Sequence, residues 1–521
     1  MFAHRFILLS AAVLVGACAT PVQQVQVTPT AGVTTAADLD RATATIQPRD
    51  FHARIGLLAS NALQGRDTPS PGLEAAAAWI ESEFFRLGLE PAGTDGYMQR
   101  WPYETRALDA SATRLELHAG NARRTLSYGS DFYAAAGTRP PFSGGIVFTG
   151  QAVPPEDVRQ DGLRGRAVAI HMPQLSVLAV NRARAEADAA GAAAVIVLLP
   201  ADVTEENIAA AAAAAERPTR ATPAVPVFYL RDDRARELFR DANLDYDALT
   251  RGEGARAPLA LAGVTAHVGA PVHTTTHMPP NVVAMLPGSD PVLRHTYLIF
   301  SAHFDHVGVA GTGGGCTAIG DNIICNGADD NASGTSTILE IAEAFASLPA
   351  PPRRSVIFLA VSGEEKGLLG SRYYADNPTV ERDSIVANIN MDMVGRSPHP
   401  DTVAVIGQSF SSLGPLVQEV AAAMPELRLT VMDDMWPGQN LLFRSDQLHF
   451  LRHEIPAVFF FTGLHEEYHR PTDEPHLIDL DQITRIGRLG FRVGHAIADD
   501  ANRPQWVPAG LEEVRRLTGG R

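Results

Sequence analysis

The sequence predicts an α/β protein whose mainly parallel central sheet is covered by helices on both faces. Four apolar runs rich in β-branched and aromatic residues have the length of strands: "TYLIFSAHFDH", "SVIFLAVSGEE", "SIVANINMDMVG" and "PAVFFFTG". Between the first two, "SGTSTILEIAEAFASL" repeats apolar residues at helical spacing, at Ile338, Ile341, Ala342 and Phe345. Continuously apolar strands that alternate with helices are typical of parallel sheets buried on both faces.

The N-terminus has the pattern of an export signal. "MFAHRFILLSAAVLVGAC" combines one arginine with an apolar run that is too short for an ordinary membrane span. Its end, "VGAC", resembles the lipobox of bacterial lipoproteins. We therefore predict a signal peptide over residues 1–17 and lipidation of Cys18, with Ala19 indicating an outer-membrane lipoprotein that faces the periplasm or the surface. A plain signal peptide cut near Ala17 or Ala19 is the alternative.

The next segments predict a tether and then a helix. Residues 18–45 are rich in Thr, Ala, Gln and Pro and lack apolar periodicity, which favours a flexible tether. Further on, "SPGLEAAAAWIESEFFRLGLEP" predicts an amphipathic helix that Ser70 caps and Gly88 ends, with Pro71 at its first position. We assign residues 46–139 to the N-terminal part of the main domain.

A change in the pattern of apolar runs predicts an inserted domain. Over residues 140–268, short strand-like runs such as "GRAVAIHM" and "AAAVIVLL" alternate with loops and an alanine-rich helix. This stretch has no cluster of His, Asp or Glu with the spacing of metal ligands. We predict a small β-rich insert here, a main domain that resumes over residues 269–502, and a C-terminal tail over residues 503–521.

Histidine and acidic residues follow the predicted strands of the main domain. They are His303, Asp305, Asp329, Asp330, Glu364, Glu365, Asp392 and His469. Because ligands bind beyond the carboxyl ends of parallel strands, these side chains can converge at one edge of the sheet. Carboxylates at that density repel one another unless a cation neutralises them. Histidine and carboxylate ligands without cysteine suit zinc, or less selectively manganese or cobalt, and two ions that share one carboxylate need five protein ligands.

Four segments in order, "AHFDHVG", "NGADDNASG", "SGEEKGLLGS" and "YHRPTD", resemble the blocks of peptidase family M28. That family comprises the co-catalytic dizinc aminopeptidases, with relatives among glutamate carboxypeptidases and the transferrin receptor. The resemblance covers about residues 50–135 and 275–500. It implies the zinc-aminopeptidase (phosphorylase-like) fold, and the insert resembles the protease-associated domain.

The resemblance also implies roles for individual residues. The implied zinc ligands are His303 and Asp392 for one ion, Glu365 and His469 for the other, and Asp330 as the bridge between them. Glu364 is then the general base and Tyr468 a candidate oxyanion donor. Asp305 looks like the partner that orients His303, as metal-bound imidazoles require. A cis peptide bond is implied after Asp330.

The function implied is hydrolysis of N-terminal peptide bonds by an enzyme that holds two zinc ions. A carboxypeptidase, a one-zinc glutaminyl cyclase and, more remotely, a non-catalytic binding protein are the alternatives on this fold. The 43 Lys and Arg against 59 Asp and Glu leave a formal net charge of −16, which argues against a nucleic-acid partner. It also argues against adsorption on anionic lipid, so we expect peptide substrates and membrane attachment only through the lipid. The sequence does not indicate the oligomeric state.

Two cysteines within "GGGCTAIGDNIICNGADD", Cys316 and Cys325, predict a local disulfide, because an exported protein folds in an oxidising compartment. Two free thiols are the alternative. A zinc site made by this pair alone lacks two further ligands.

The segment "HEEYH" at residues 465–469 matches the pattern of single-zinc helical metalloproteases. That pattern needs a helix, and Gly463 and Pro471 leave barely one turn. We therefore keep only His469 as a ligand and interpret His465 and Glu466 as loop residues. Four other histidines are interpreted as surface or packing residues: His306, His449, His453 and His476.

Overall fold

The computed structural model describes residues 34–159, 162–215, 225–252, 254–399 and 401–519. The predicted signal peptide, Cys18 and the tether up to residue 33 lie outside these ranges and stay predictions. Within them, no helix combines the length and the apolar character that crossing a membrane requires.

Nine strands of the described residues form the sheet of the main domain. In spatial order they are Glu90–Pro91, Pro280–Leu286, Ser355–Val361, Tyr297–His303, Ile385–Met391, Ala457–Phe461, Thr402–Ile406 and Thr430–Met432, with Met98–Arg100 also paired to Pro280–Leu286. The four strands from Ser355–Val361 to Ala457–Phe461 run parallel, and the strands on either side of them pair antiparallel. These four are the runs predicted as strands, so the parallel centre of the sheet is confirmed.

Helices cover both faces of this sheet because successive strand residues point to opposite sides. Leu298 and Phe300 belong to one hydrophobic core and Ile299 to the other. The helices on the first face are Ala36–Thr43, Pro48–Leu58, Pro71–Arg86, Gly334–Ala346, Leu413–Ala422 and Leu480–Asp499. Those on the second are Leu369–Asp376, Gln447–Arg452 and Pro508–Thr518.

The capping signals predicted for the helix Pro71–Arg86 are confirmed. Ser70 Oγ accepts a hydrogen bond from the main-chain N–H of Leu73 at 3.0 Å, and Pro71 occupies the first helical position. Gly88 follows the helix with φ +74°, a conformation that glycine adopts without strain.

The predicted tether and tail both contain structure that packs on the main domain. Ala36–Thr43 is helical because Thr35 and Asp38 cap it reciprocally, and Ala42 is buried. The tether was predicted over residues 18–45, and its C-terminal boundary is therefore wrong. In the predicted tail, residues 503–521, the helix Pro508–Thr518 buries Val514 against the second core.

The insert has its own sheet, with eight strands in the described residues. In spatial order they are Ala122–Leu126, Arg114–Ala119, Ala255–Gly269, Phe142–Gly150, Ala167–His171, Ala194–Leu198, Val227–Leu230 and Phe132–Ala135. This sheet begins at Arg114, before the boundary predicted at residue 140. The strands Tyr103–Leu108 and Val272–His277 pair as an antiparallel two-stranded ribbon. Along the chain, each of them lies between a strand of the main-domain sheet and a strand of the insert's sheet.

Helices also cover both faces of the insert. Val177–Ala189 and Glu205–Ala215 pack on one face, and Asp232–Asp241 and Tyr246–Thr250 on the other, with a short helix at Glu156–Arg159. The insert is therefore an α/β layer structure as well as β-rich. The alanine-rich run is helical as expected, and it buries Ile208, Ala211 and Ala212.

Candidate metal centre

The predicted ligands come together beyond the carboxyl ends of the four parallel strands. His303 ends its strand and Asp392 directly follows another, while Glu365 and His469 lie in loops after the remaining two. Asp330 lies in the irregular helical turn Ala328–Ser333, which leads into the helix Gly334–Ala346. The chain thus delivers each ligand from a different element to one edge of the sheet.

The two carboxylate oxygens of Asp330 face different groups of side chains. Its Oδ1 lies 3.4 Å from His303 Nε2, which is also 3.3 Å from Asp392 Oδ1. Its Oδ2 lies 3.2 Å from His469 Nε2, which is also 3.1 Å from Glu365 Oε2. Asp330 therefore bridges two clusters of donor atoms, as the prediction of a shared carboxylate requires.

These spacings fit a tetrahedral metal ion in each cluster. Zinc–nitrogen and zinc–oxygen bonds of about 2.0–2.1 Å at tetrahedral angles hold neighbouring donor atoms roughly 3.3 Å apart. The four separations from His303 and His469 lie between 3.1 and 3.4 Å. Asp330 and Asp392 are 3% and 6% exposed, so their charges need compensation inside the protein.

Glu364 and Glu365 are adjacent in sequence and differ in their surroundings. Burial, and after it the carboxylates of Glu365, Asp446 and Asp392, raise the pKa of Glu364 well above its usual range, against the opposing effect of His303. Burial acts on Glu365 in the same sense, but hydrogen bonds from His306 and His469 hold its pKa well below the usual range. Two carboxyls whose pKa values are pushed apart are typical of an acid–base residue beside a ligand.

Glu364 is also near the first cluster of donors. One of its oxygens lies within 4.8 Å of the donor atoms of His303 and Asp392. The described geometry therefore allows either a base or a ligand at Glu364, and its raised pKa, together with the resemblance, favours the base.

The contacts of Asp305 differ from the predicted contact between its carboxylate and the His303 imidazole. His303 Nδ1 is 3.2 Å from the main-chain oxygen of Asp305 and 3.7 Å from its Oδ1. The carboxylate instead accepts hydrogen bonds from the main-chain N–H of Glu364 at 3.2 Å and from Thr68 Oγ1 at 3.0 Å. Asp305 thus contacts His303 through its backbone and holds the backbone of Glu364 through its side chain.

Tyr468 lies at the edge of the second cluster. Its ring stacks on the His469 ring with centroids 3.9 Å apart, and its hydroxyl accepts a hydrogen bond from Arg444 Nη2 at 3.3 Å. Burial, followed by the nearby carboxylates of Asp330 and Glu365, raises the pKa of Tyr468. The phenol therefore keeps its proton and is a hydrogen-bond donor.

Ser445 and Gln447, in the segment before the strand Ala457–Phe461, contact Asp392 and the strand that precedes it. Ser445 Oγ donates to Asp392 Oδ2 at 2.6 Å, which fixes the orientation of that carboxylate. Gln447 is buried and accepts a hydrogen bond from Asn390 Nδ2 at 3.3 Å.

The "HEEYH" segment forms a turn, so His465 and His469 do not share a helical face. His465 Nε2 lies 3.2 Å from Asp329 Oδ2, in a buried pair separate from the two clusters, and Glu466 is exposed. His465 is a loop residue, as interpreted, and its imidazole lies beside the carboxylate of Asp329, the residue before Asp330 in sequence.

The predicted disulfide pair lies beside the second cluster. Cys316 and Cys325 are bonded, with an S–S distance of 2.09 Å. Cys325 Sγ is 3.7 Å from the main-chain oxygen of His469, and Asn322 Nδ2 donates to the main-chain oxygen of Pro471 at 3.0 Å. The bridged loop thus packs against the loop that carries His469. The Asp330–Asn331 peptide bond is cis.

Two residues near the clusters were missed by sequence reasoning. His306, interpreted as a surface or packing residue, is fully buried and lies 2.9 Å from Glu365 Oε1. Its position in "HFDH", three residues after His303, was the available signal. Arg66 had no such signal, since it follows no strand and belongs to no block of the resemblance.

Arg66 is fully buried and ties the ligand-bearing loops together. Its guanidinium donates to the main-chain oxygens of Phe304 at 2.7 Å, Asn326 at 2.8 Å and Gly327 at 3.1 Å, and also to that of Leu58. Burial lowers its pKa to about 10, against the nearby carboxylates. One planar cation therefore joins the loop after His303 to the loop before Asp330.

We predict that Arg66→Lys lowers the free energy of unfolding of the metal-free protein by at least ~2 kcal/mol. A lysine cannot reproduce the planar fork of donors, and each buried carbonyl left unpaired costs about 1–3 kcal/mol. Chemical denaturation measures the change. The matched control is Arg516→Lys in an exposed pair with Glu513, where we expect a change within about 0.5 kcal/mol. Equal midpoints for the two variants would contradict the role given to Arg66.

A family model matches the part of the chain that carries these clusters, and several known proteins match parts of the chain. Residues 281–493 match the model of peptidase family M28. The chain is 35% identical over 138 residues to leupeptin-inactivating enzyme 1 of Streptomyces exfoliatus, covering 25% of this chain and 27% of that protein. It is 43% identical over 190 residues to aminopeptidase YwaD of Bacillus subtilis, covering 35% and 40%. These matches therefore span less than half the length of either relative.

A solved structure shows the same fold over most of the chain. The aminopeptidase from Aneurinibacillus sp. strain AM-1 superposes with a TM-score of 0.50 and 19% sequence identity, covering 90% of this chain and 97% of that one. At this identity the likeness concerns the fold alone. Residues 281–493, which carry all five predicted metal ligands, are therefore similar to peptidase family M28.

Proposed function

We propose that this protein is a zinc-dependent exopeptidase, an aminopeptidase that removes N-terminal residues from peptides at a dinuclear metal site. The observation that carries the proposal is the division of the Asp330 carboxylate between two clusters of donor atoms. One ion would be held by His303, Asp330 and Asp392, and the other by Asp330, Glu365 and His469. Two such ions, when bound, lower the pKa of a shared water and polarise the scissile carbonyl.

The protein's own residues supply the remaining steps. The carboxylate of Glu364 takes a proton from the attacking water and passes it to the leaving amine, which its raised pKa suits. Asp305 holds the backbone of Glu364, so the base stays fixed relative to His303. The hydroxyl of Tyr468 donates to the oxygen on which negative charge develops.

We predict that Glu364→Gln leaves the metal content unchanged while kcat falls roughly a hundred- to ten-thousand-fold, because the variant cannot accept the proton of the water. Elemental analysis and a peptide hydrolysis assay measure the two quantities. Glu466→Gln is the matched control in the exposed part of "HEEYH", and it should hydrolyse peptides at the rate of the unchanged protein. Loss of metal from Glu364→Gln would make Glu364 a ligand instead of the base.

We predict that the metal-free protein binds two zinc ions per chain and that chelation of both abolishes hydrolysis. The two donor clusters support this number, since each provides three protein donors. Titration calorimetry with zinc measures the stoichiometry, and manganese or cobalt serves to test selectivity. One ion per chain would favour a glutaminyl cyclase, and cyclisation of an N-terminal glutamine would then be the activity to assay.

We predict hydrolysis of peptides with a free N-terminus and none of the same peptides after N-acetylation, because an aminopeptidase must recognise the terminal ammonium. Matched peptides with a free or amidated C-terminus complete the comparison, and mass spectrometry of the products identifies the residue removed. Products shortened from the C-terminus would show a carboxypeptidase. Lack of cleavage in all four peptides would favour a binding protein, although each predicted ligand position holds a ligating residue.

We also propose that the protein is an exported lipoprotein of the cell envelope and that the insert is a protease-associated domain. The signal-like N-terminus and Cys18 support export. So does the disulfide between Cys316 and Cys325, because disulfides persist in oxidising compartments. The insert's separate sheet and its position between the two parts of the main domain support the second assignment.

A further inference from the structure

His306 occupies a confined place beside the second donor cluster. It is fully buried, and its ring meets the His469 ring edge-on with centroids 5.5 Å apart. On another side lies the backbone of Gly327, where an added Cβ would come within 2.5 Å of His306 Cγ. Gly327 also has φ +60°. A glycine suits this position because it has no Cβ to clash with His306 and adopts a positive φ without strain. The imidazole therefore has little freedom to turn.

The His306 ring contacts one particular carboxylate oxygen of Glu365. His306 Nδ1 lies 2.9 Å from Oε1, whereas the other oxygen, Oε2, lies 3.1 Å from His469 Nε2. The Glu365 carboxylate is thus held from both sides, with one oxygen turned to His306 and the other to the donor cluster. Rotation of the carboxylate would lengthen its contacts with both His306 and His469.

The distances distinguish a hydrogen bond at His306 from a metal–ligand role. The separations among the donors of the second cluster are 3.1 and 3.2 Å, close to the roughly 3.3 Å expected around one zinc ion. His306 Nδ1 instead lies at 2.9 Å from Glu365 Oε1 and 3.8 Å from Asp330 Oδ2. A fourth protein ligand would also close the coordination shell, and catalytic zinc sites keep an open position.

We propose that His306 is a positioning residue for the second metal ion: Nδ1–H donates to Glu365 Oε1 and so directs Oε2 towards the ion. This requires the tautomer with the proton on Nδ1. The other ring nitrogen, Nε2, has no hydrogen-bond partner among the described residues, and an unpaired lone pair is tolerated better than an unpaired N–H. The inference rests on the proposed function, because only a bound ion gives the orientation of Glu365 its purpose.

Two substitutions of similar size and polarity test the role of Nδ1. In His306→Asn the side-chain amide nitrogen can occupy the place of Nδ1, whereas in His306→Gln it reaches the place of Nε2. Titration calorimetry of zinc into each metal-free protein measures both binding steps. We expect His306→Asn to retain most of the affinity for the second ion and His306→Gln to lose it roughly 10–100-fold, with the first ion unaffected in both.

Equal affinity for the second ion in the two variants would overturn the proposal, whether both match the unchanged protein or both are weakened alike. Thermal unfolding of the metal-free proteins is the second readout, and we expect the two variants to unfold at similar temperatures. If His306→Gln alone were destabilised in the metal-free state, its weaker binding would reflect packing, and the proposal would fall. Should the unchanged protein bind fewer than two ions, the proposed dinuclear function fails, which is a separate outcome.

Discussion

The architecture of this protein depends on the burial of negative charge at the carboxyl edge of four parallel strands. Asp305, Asp330, Asp392 and Asp446 are each at most 6% exposed there. In a weakly polar interior, ionised carboxylates this close repel one another strongly and favour protonation. The imidazole of His303 lies between Asp330 and Asp392, and that of His469 lies between Asp330 and Glu365. The proposed metal ions would supply further positive charge. Bound cations would therefore reduce the repulsion among these carboxylates.

Side chains that lie behind the ligands hold that geometry. Asn331 donates to the main-chain oxygen of Met391 and accepts from the N–H groups of Gly334 and Met393, so it joins the turn that carries Asp330 to the strand that precedes Asp392. Asp473 accepts from the main-chain N–H groups of Asp329 and Asp330. Such supporting contacts fix ligand atoms within the tolerance that a metal site needs.

Much of this organisation follows from local sequence patterns. The four apolar runs and the helix after Ser70 were predictable because strand burial and helix capping depend on neighbouring residues. The five proposed ligands were predictable because each follows a strand or precedes a helix, and four of them also lie in the segments that resemble the family. The first helix, Ala36–Thr43, was not, since its eight residues acquire stability only by packing on the domain. The start of the insert's sheet was missed because the hairpin of Arg114–Ala119 and Ala122–Leu126 joins that sheet only by pairing with Ala255–Gly269, which lies far away in sequence.

The sequence by itself determined the residue types of the site, their order, and the elements that present them, because these depend on spacing along the chain. Only the tertiary structure decided which oxygen of Asp330 faces which histidine, that His465 pairs with Asp329, and that Arg66 and His306 support the ligand loops. These contacts join segments that are distant in sequence. Their directions depend on how the strands and helices pack, which no local pattern encodes.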